Sequence, residues 1–282
     1  MTNMSHDFST NPDLRGLARL AADLHAVAGP LGVEFFLMGA AARDLMLLHA
    51  HGIDTRRATQ DADFAVMVPD WDAFNALRLA LIASDKFSAR PGVALHCLRH
   101  VGGLPLDIVP FGGVERPDRT YAWPPEHTTV FDCFGVAEAF SASVVLSLPD
   151  AVQIRVASIP SQVVLKASAW QDRKYAFPGR DAGDLLLILW HYMDCGNLER
   201  AAAEHPDLFN AEDFEYLEAG VRLLARDIAR LVAHGAVDRL LKILVPEADA
   251  DGGYLLAKQS GRDVESARRL IEVLCDELAT TM

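Results

Sequence analysis

The stretch Asp61-Ala62-Asp63-Phe64-Ala65-Val66-Met67-Val68 sets two carboxylates one residue apart at the head of an apolar run that Pro69 ends. The run predicts a core strand, and a core strand ordinarily avoids acids because burying them without partners is costly. Period two along a strand sends Asp61 and Asp63 to one face. Same-side neighbours lie roughly 7 Å apart at Cα, so the pair can grip one hard cation. Whatever fold this chain adopts has to bring positive charge to that strand.

The flanking pattern places the strand in a layered α/β arrangement. Leu14, Leu17, Leu20, Ala21 and Leu24 recur at helical spacing until Gly29-Pro30 breaks the pattern, which predicts an amphipathic first helix. Val33 to Met38 reads as a short buried strand, Gly39 as a turn, and residues 41–50 as a helix with Leu45, Met46 and Leu48 turned inward. Asp70 is a natural N-cap for a helix carrying Trp71, Phe74, Leu77 and Leu81. Residues 93–101 and 104–111 flank Gly102-Gly103, a two-residue hairpin turn, and residues 141–148 and 152–158 form a second hairpin around Pro149-Asp150. Proline and charge from Arg116 to Glu126 predict a surface loop.

From Pro160 onward the pattern is helical, over 161–170, 181–193, 211–234, 237–245 and 263–279. The fold class is therefore α/β (α+β): a mixed sheet flanked by helices, followed by a helical C-terminal region. The expected division is a disordered tail over 1–13, an α/β domain over 14–158 and a helical domain over 159–282.

At 282 residues, 51% of them apolar, a substantial core is expected. No apolar run approaches the roughly 18 residues of a membrane span, and residues 1–14 lack a signal-peptide pattern, so a cytoplasmic protein without membrane contact is expected. Cys97, Cys133, Cys195 and Cys275 form no CxxC pair, which reads as reduced thiols. A net charge of -13 argues against broad DNA binding. Nucleic-acid contact would have to rest on a local patch, for which Arg43, Arg56, Arg57, Arg173, Lys174 and Arg180 are the candidates.

Two further features meet the paired acids. Asp107 is a lone acid inside the apolar run Leu104 to Phe111, and a third carboxylate there would complete a site for two metals. Magnesium suits such a set, because it takes oxygen ligands from a few carboxylates plus phosphates. Gly39 follows a strand and opens a helix, so the amides of residues 40–42 form an anion cradle with Arg43 in the same turn. The plainer readings are exposed strand-end acids for Asp61 and Asp63, and a surface acid near a turn for Asp107. His96, Cys97 and His100 invite a zinc reading, but within a strand Cys97 faces away from both histidines.

Gly39-Ala40, a short helix, Asp61-x-Asp63 on a strand and Asp107 on a later strand resemble the signature of the nucleotidyltransferase superfamily that includes DNA polymerase beta. GAAARDL followed by DADF is similar to the corresponding stretch of tRNA CCA-adding enzymes. The run PSQVVLKASAWQDRKYAFPGRDAGDLLLIL resembles more closely the bacterial abortive-infection, type IV toxin-antitoxin nucleotidyltransferases, with Lys166, Arg173, Arg180-Asp181 and Asp184 at the positions of that group's basic and acidic motif. The likeness covers roughly residues 30–195.

The resemblance implies an enzyme that moves a nucleoside monophosphate from an NTP to an acceptor hydroxyl and releases pyrophosphate. Asp61, Asp63 and Asp107 would be catalytic and hold two Mg2+ ions. Gly39, Ala40, Arg43, Lys166, Arg173 and Asp181 would bind the nucleotide, ATP among the NTPs. The acceptor would be a tRNA 3' end, a protein or a small molecule, and an antitoxin is the implied partner. Ala40 departs from the family's usual Gly-Gly or Gly-Ser, which leaves a second reading open: an inactive nucleotide- or partner-binding module of the same fold.

Overall fold

Period-two and helical patterns separate in space as they do along the chain. The computed structural model describes residues 6–55, 61–90, 94–125, 127–210, 214–232, 234–249 and 251–281. It divides into one unit of Met1–Leu45 with Arg56–Ser158 and a second of Met46–Thr55 with Ile159–Met282. The short segment Met46–Thr55, expected within the α/β part, thus groups with the helices.

The first unit contains α1 (Arg15–Ala28), β1 (Glu34–Met38), α2 (Gly39–Arg43), β2 (Ala62–Val68), α3 (Trp71–Ala83), β3 (Phe87–Ala89), β4 (Cys97–His100), β5 (Pro105–Gly112), β6 (Thr120–Ala122), β7 (Val130–Asp132), α4 (Val136–Ser141), β8 (Val144–Leu148) and β9 (Val152–Val156). Seven strands form one mixed sheet in the order β3-β4-β5-β2-β1-β9-β8. At its centre β2 runs parallel to β5 and antiparallel to β1.

Register assigns the faces. Phe36, Ala65 and Val109 lie on one face with Phe111, and Phe140 of α4 packs there against Phe36 and Phe111 at ring distances of 5.8 and 5.5 Å. The opposite face carries Phe35 and Leu98, and α1 covers it: His25 meets Phe35 at 5.6 Å, and Asp23 pairs with His100 at 2.8 Å. Asp70 caps α3 as expected, accepting from Ala73 N at 2.8 Å.

Several expectations need correction. Residues 6–13 are not a loose tail: Phe8 is buried and its amide donates to Ser147 O at 2.8 Å. Residues 1–5 lie outside the described part. Leu48 is 39% exposed rather than turned inward, because Asp44–His49 form a π-helical turn that shifts the side-chain phase and buries Leu47 instead. The β4–β5 hairpin closes over three residues, since His100 N bonds Leu104 O at 3.0 Å and Gly103, at φ +90°, takes the left-handed position. The stretch expected as a surface loop carries β6, which pairs with β7 and buries Tyr121 against Trp71 and Phe131.

The second unit contains α5 (Ile159–Arg173), α6 (Arg180–His191), α7 (Leu198–Glu204), α8 (Tyr216–Leu231), α9 (His234–Ala248), α10 (Leu255–Gln259) and α11 (Val264–Thr280). In it α11 packs on α8 and α9, and α5 on α6 and α8. The helix expected over 211–234 is shorter because Glu215 and Val232 are both extended; residues 211–213 and 233 lie outside the described part. No helix among the described residues is long and apolar enough to cross a membrane.

Candidate active site

The ladder of the central sheet fixes the acids. Asp63 of β2 and Asp107 of β5 are direct Cα partners on parallel strands, so both carboxylates leave the same face about 5 Å apart at the backbone. That face is apolar further along, at Ala65, Val109 and Phe111. The two acids occupy the strand starts, beyond that layer, and are half-buried. Asp61 lies one residue before β2 and is also half-buried.

Asp107 Oδ1 is buried and has no hydrogen-bond partner among the described residues. Leaving a carboxylate oxygen in that state costs on the order of 1–3 kcal/mol or more. Like charge on Asp63 in the next strand adds to the cost. An unmatched anionic oxygen beside a second carboxylate is what a bound cation would relieve.

Gly39 follows Met38, which is the cross-strand partner of Asp63. Its φ is +71°, and a Cβ built there would run into Asp63 Oδ2. Both facts require glycine: the turn demands the left-handed region, and the carboxylate rests where a side chain would be. Ala40 follows in the first turn, half-buried. Arg43, expected to reach a phosphate, is instead 0% exposed. Its Nε and Nη2 donate to Asp44 Oδ1 at 2.9 and 2.6 Å. The guanidinium thus turns inward onto Asp44, away from the phosphate role expected of it.

The residues present fit magnesium in a limited sense. Among the described residues no group of three or more His, Cys, Asp or Glu is gathered to hold a metal. Magnesium, however, is usually held by one or two carboxylates with substrate phosphates and water completing the shell. An in-register carboxylate pair with an orphaned oxygen matches that division of ligands.

Two neighbours were not legible as site residues. Cys97 of β4 is the Cα partner of Asp107 on its other side. Burial, helped by the neighbouring Asp107 carboxylate, pushes the Cys97 thiol up to about 12, so it stays neutral beside that carboxylate. His96 stacks on Trp123 at 4.3 Å; burial holds its imidazole below the usual value, opposed by the charge of Asp107. Sequence spacing set Cys97 apart from the histidines correctly but did not reveal that it shares a face with Asp107, because strand pairing is nonlocal.

The remaining candidates form a second cluster, within the helical unit. Lys166 Nζ donates to Asp181 Oδ1 at 3.2 Å and to Asp184 Oδ2 at 2.6 Å. Arg173 forks onto Asp181, with Nε to Oδ2 at 2.7 Å and Nη2 to Oδ1 at 2.9 Å. Lys166, Asp181 and Asp184 are all buried. Burial alone would raise the Asp181 carboxyl, but the Arg173 hydrogen bond and the Lys166 charge outweigh it and hold the group below its usual range. Lys166, expected at a triphosphate, here has its ammonium between two carboxylates.

A model of the nucleotidyl transferase AbiEii toxin family, of the type IV toxin-antitoxin systems, matches residues 23–241. The chain belongs to this AbiEii family. It is thus a nucleotidyltransferase by family. Comparison with curated proteins finds no match.

Among solved structures, an antigenic nucleotidyltransferase-like protein from Paracoccidioides brasiliensis is 18% identical, with 74% of this chain and 95% of that one covered at a TM-score of 0.40. The antibiotic-resistance factor ANT(2'')-Ia is 12% identical over 68% of this chain and 96% of its own, at 0.34. A Thermotoga maritima CCA-adding enzyme complexed with tRNA is 13% identical over 97% and 82%, at 0.25. Likeness at these levels carries nothing about activity. The AbiEii match spans Gly39, all three acids of the first unit and the whole Lys166-to-Asp184 cluster.

Proposed function

We propose that this AbiEii chain transfers a nucleoside monophosphate from an NTP to an acceptor hydroxyl and releases pyrophosphate. The observation that carries the reading is the in-register pair Asp63 and Asp107, with Asp107 Oδ1 buried and unmatched, beside a glycine turn. In the reaction the acceptor oxygen forms a bond to the α-phosphorus, the bond from that phosphorus to the bridging oxygen breaks, and pyrophosphate leaves with the electron pair. In this reading Asp107 takes the acceptor's proton, Asp61 and Asp63 serve as the carboxylates that would hold magnesium, and the amides after Gly39 receive the outer phosphates. Two magnesium ions, when bound by Asp61, Asp63 and Asp107, would supply charge neutralisation at the phosphates and a lowered pKa at the acceptor.

Ala40 supplies an amide but no hydroxyl, so the turn binds phosphate by backbone alone. Lys166, Arg173 and Asp181, expected at the nucleotide, stay outside the proposed transfer: with Lys166 between two carboxylates and Arg173 forked onto Asp181, they are read as a brace between α5 and α6. The acceptor is a tRNA 3' end, a protein or a small molecule, the site of action is the cytoplasm, and an antitoxin restrains the activity.

The test is transfer of label from each of the four NTPs, with magnesium, to bulk tRNA or to a cell extract. Label moves with wild type and not with Asp63→Asn; movement in no combination, or undiminished transfer by Asp63→Asn, removes the proposal. A second reading, a binding module without turnover, is favoured by Ala40. Calorimetry showing magnesium-dependent binding of a nonhydrolysable NTP, together with no transfer, would select it. Expression of the wild type arrests growth and Asp61→Ala does not; absence of arrest counts against toxicity alone.

A further inference from the structure

Between α5 and α6 runs Lys174-Tyr175-Ala176-Phe177-Pro178-Gly179, a turn that the transfer chemistry does not use. Tyr175 is 80% exposed and Phe177 53%. Single exposed apolar side chains are ordinary, but two large rings set two residues apart on one turn form a patch that a partner would cover.

The turn is held at both ends. Trp170 is buried, its Nε1 donates to Gln259 Oε1 at 2.9 Å, and Gln259 Nε2 donates to Lys174 O at 2.9 Å. At the far end Gly179 has φ +81°, and a Cβ there would lie 3.1 Å from Gln259 O. One glutamine of α10 therefore anchors the start of the turn and packs against its end, while Arg173 is fixed on Asp181. The rings stand on a braced support, which lowers the ordering cost of binding.

Cations flank them. Lys174 Nζ lies 4.4 Å from the Trp170 ring centre and 5.7 Å from that of Tyr175, and Arg180 lies 6.0 Å from the Phe177 ring. In a chain of net charge -13 this is a local positive, aromatic spot. An acidic peptide would satisfy the cations and leave the ring faces uncovered. A duplex would satisfy the cations but has no free base faces. An unpaired strand satisfies both, since each base offers a flat face to a ring and each nucleotide a phosphate to a cation.

We propose that the α5–α6 turn is a stacking platform for single-stranded RNA, with bases on Tyr175 and Phe177 and phosphates on Lys174 and Arg180. The binding does not rest on the transferase reading; only a link between the bound strand and the acceptor would.

The test measures fluorescence anisotropy of a labelled single-stranded RNA of about 12 nucleotides. The full chain carries Asp63→Asn, with no NTP and no magnesium. Tyr175→Ala with Phe177→Ala weakens binding about tenfold or more, whereas Tyr175→Phe with Phe177→Tyr keeps it within about twofold. Lys174→Gln with Arg180→Gln lowers the log–log salt slope by about 1.4, near 0.7 for each phosphate no longer neutralised. Unfolding midpoints of these variants match the parent, because the replaced side chains lie at the surface. No RNA binding by the parent overturns the proposal, as do equal binding by the ring-free variant and stronger binding of polyglutamate than of RNA. Absent transfer with ring-dependent binding intact strikes the transferase reading instead.

Discussion

Two pairs of acids organise this chain, and their surroundings treat them oppositely. Asp181 and Asp184 are buried with Lys166 within 3.2 Å of the first and 2.6 Å of the second, and Arg173 forks onto Asp181. Asp63 and Asp107 are cross-strand neighbours at the mouth of a sheet face, and one oxygen of Asp107 is buried without a partner. The first pair has its countercharges built into the helices and braces them. In the second, the unmatched Asp107 oxygen costs stability and holds negative potential ready for cations. A cluster whose acids are ion-paired points to structure; a single buried carboxylate oxygen without a partner, as at Asp107, points to chemistry.

The comparison breaks if the two pairs respond alike to mutation. The largest effect expected is on transfer: Asp63→Asn or Asp107→Asn lowers the rate by about 10³-fold or more. Metal-free urea unfolding of Asp107→Asn shifts by no more than about 1 kcal/mol, because the lost charge was not compensated. On the helical side, Asp181→Ala costs about 3 kcal/mol or more in urea unfolding, since it removes one of the two buried carboxylates facing Lys166 and the one onto which Arg173 forks. A loss under about 1 kcal/mol would show that this cluster is no brace.

Gly39→Ala comes next. With φ at +71° and Asp63 Oδ2 in the way, the substitution costs about 1–3 kcal/mol and reduces transfer, measured by melting and by rate. A variant with wild-type stability and rate would mean the turn tolerates a side chain.

A smaller effect separates the pairs by pH. The Asp181 carboxyl lies below its ordinary 3.8 in the folded chain, so its contribution is complete above the unfolded value. It is lost as pH falls through the lower folded value. Wild type therefore loses stability through the acid range more steeply than Asp181→Asn, and parallel curves would contradict this. The smallest change expected is at the turn: Ala40→Ser, which restores a hydroxyl, tightens NTP binding by less than about tenfold, worth no more than one neutral hydrogen bond.

Local signals made much of this legible. The strand bearing Asp63, the cap at Asp70, the hairpin bearing Asp107 and the longer helices of the second unit follow from period and capping residues close in sequence, whereas the short α7 and α10 were not read. The pairing of Asp63 with Asp107 was approachable because both interrupt apolar strands near their starts. What escaped was set by tertiary context. Arg43 looked like a phosphate ligand from its place in the turn, yet Asp44 next to it draws the guanidinium inward. Lys166 looked like a surface lysine or a phosphate ligand, and only the packing of α5 on α6 places it against Asp184. β6 was hidden in proline and charge, because its pairing with β7 and the packing of Tyr121 on Trp71, far back in the chain, are nonlocal.

Thermal unfolding of wild type and Asp107→Asn, each with and without magnesium plus a nonhydrolysable NTP, tests the central claim most directly. The expected result is that the additions raise the wild-type midpoint and leave Asp107→Asn nearly unmoved, with the two proteins close together when nothing is added. Equal stabilisation of both, or of neither, would contradict the assignment of the Asp63–Asp107 pair as the cation-dependent centre.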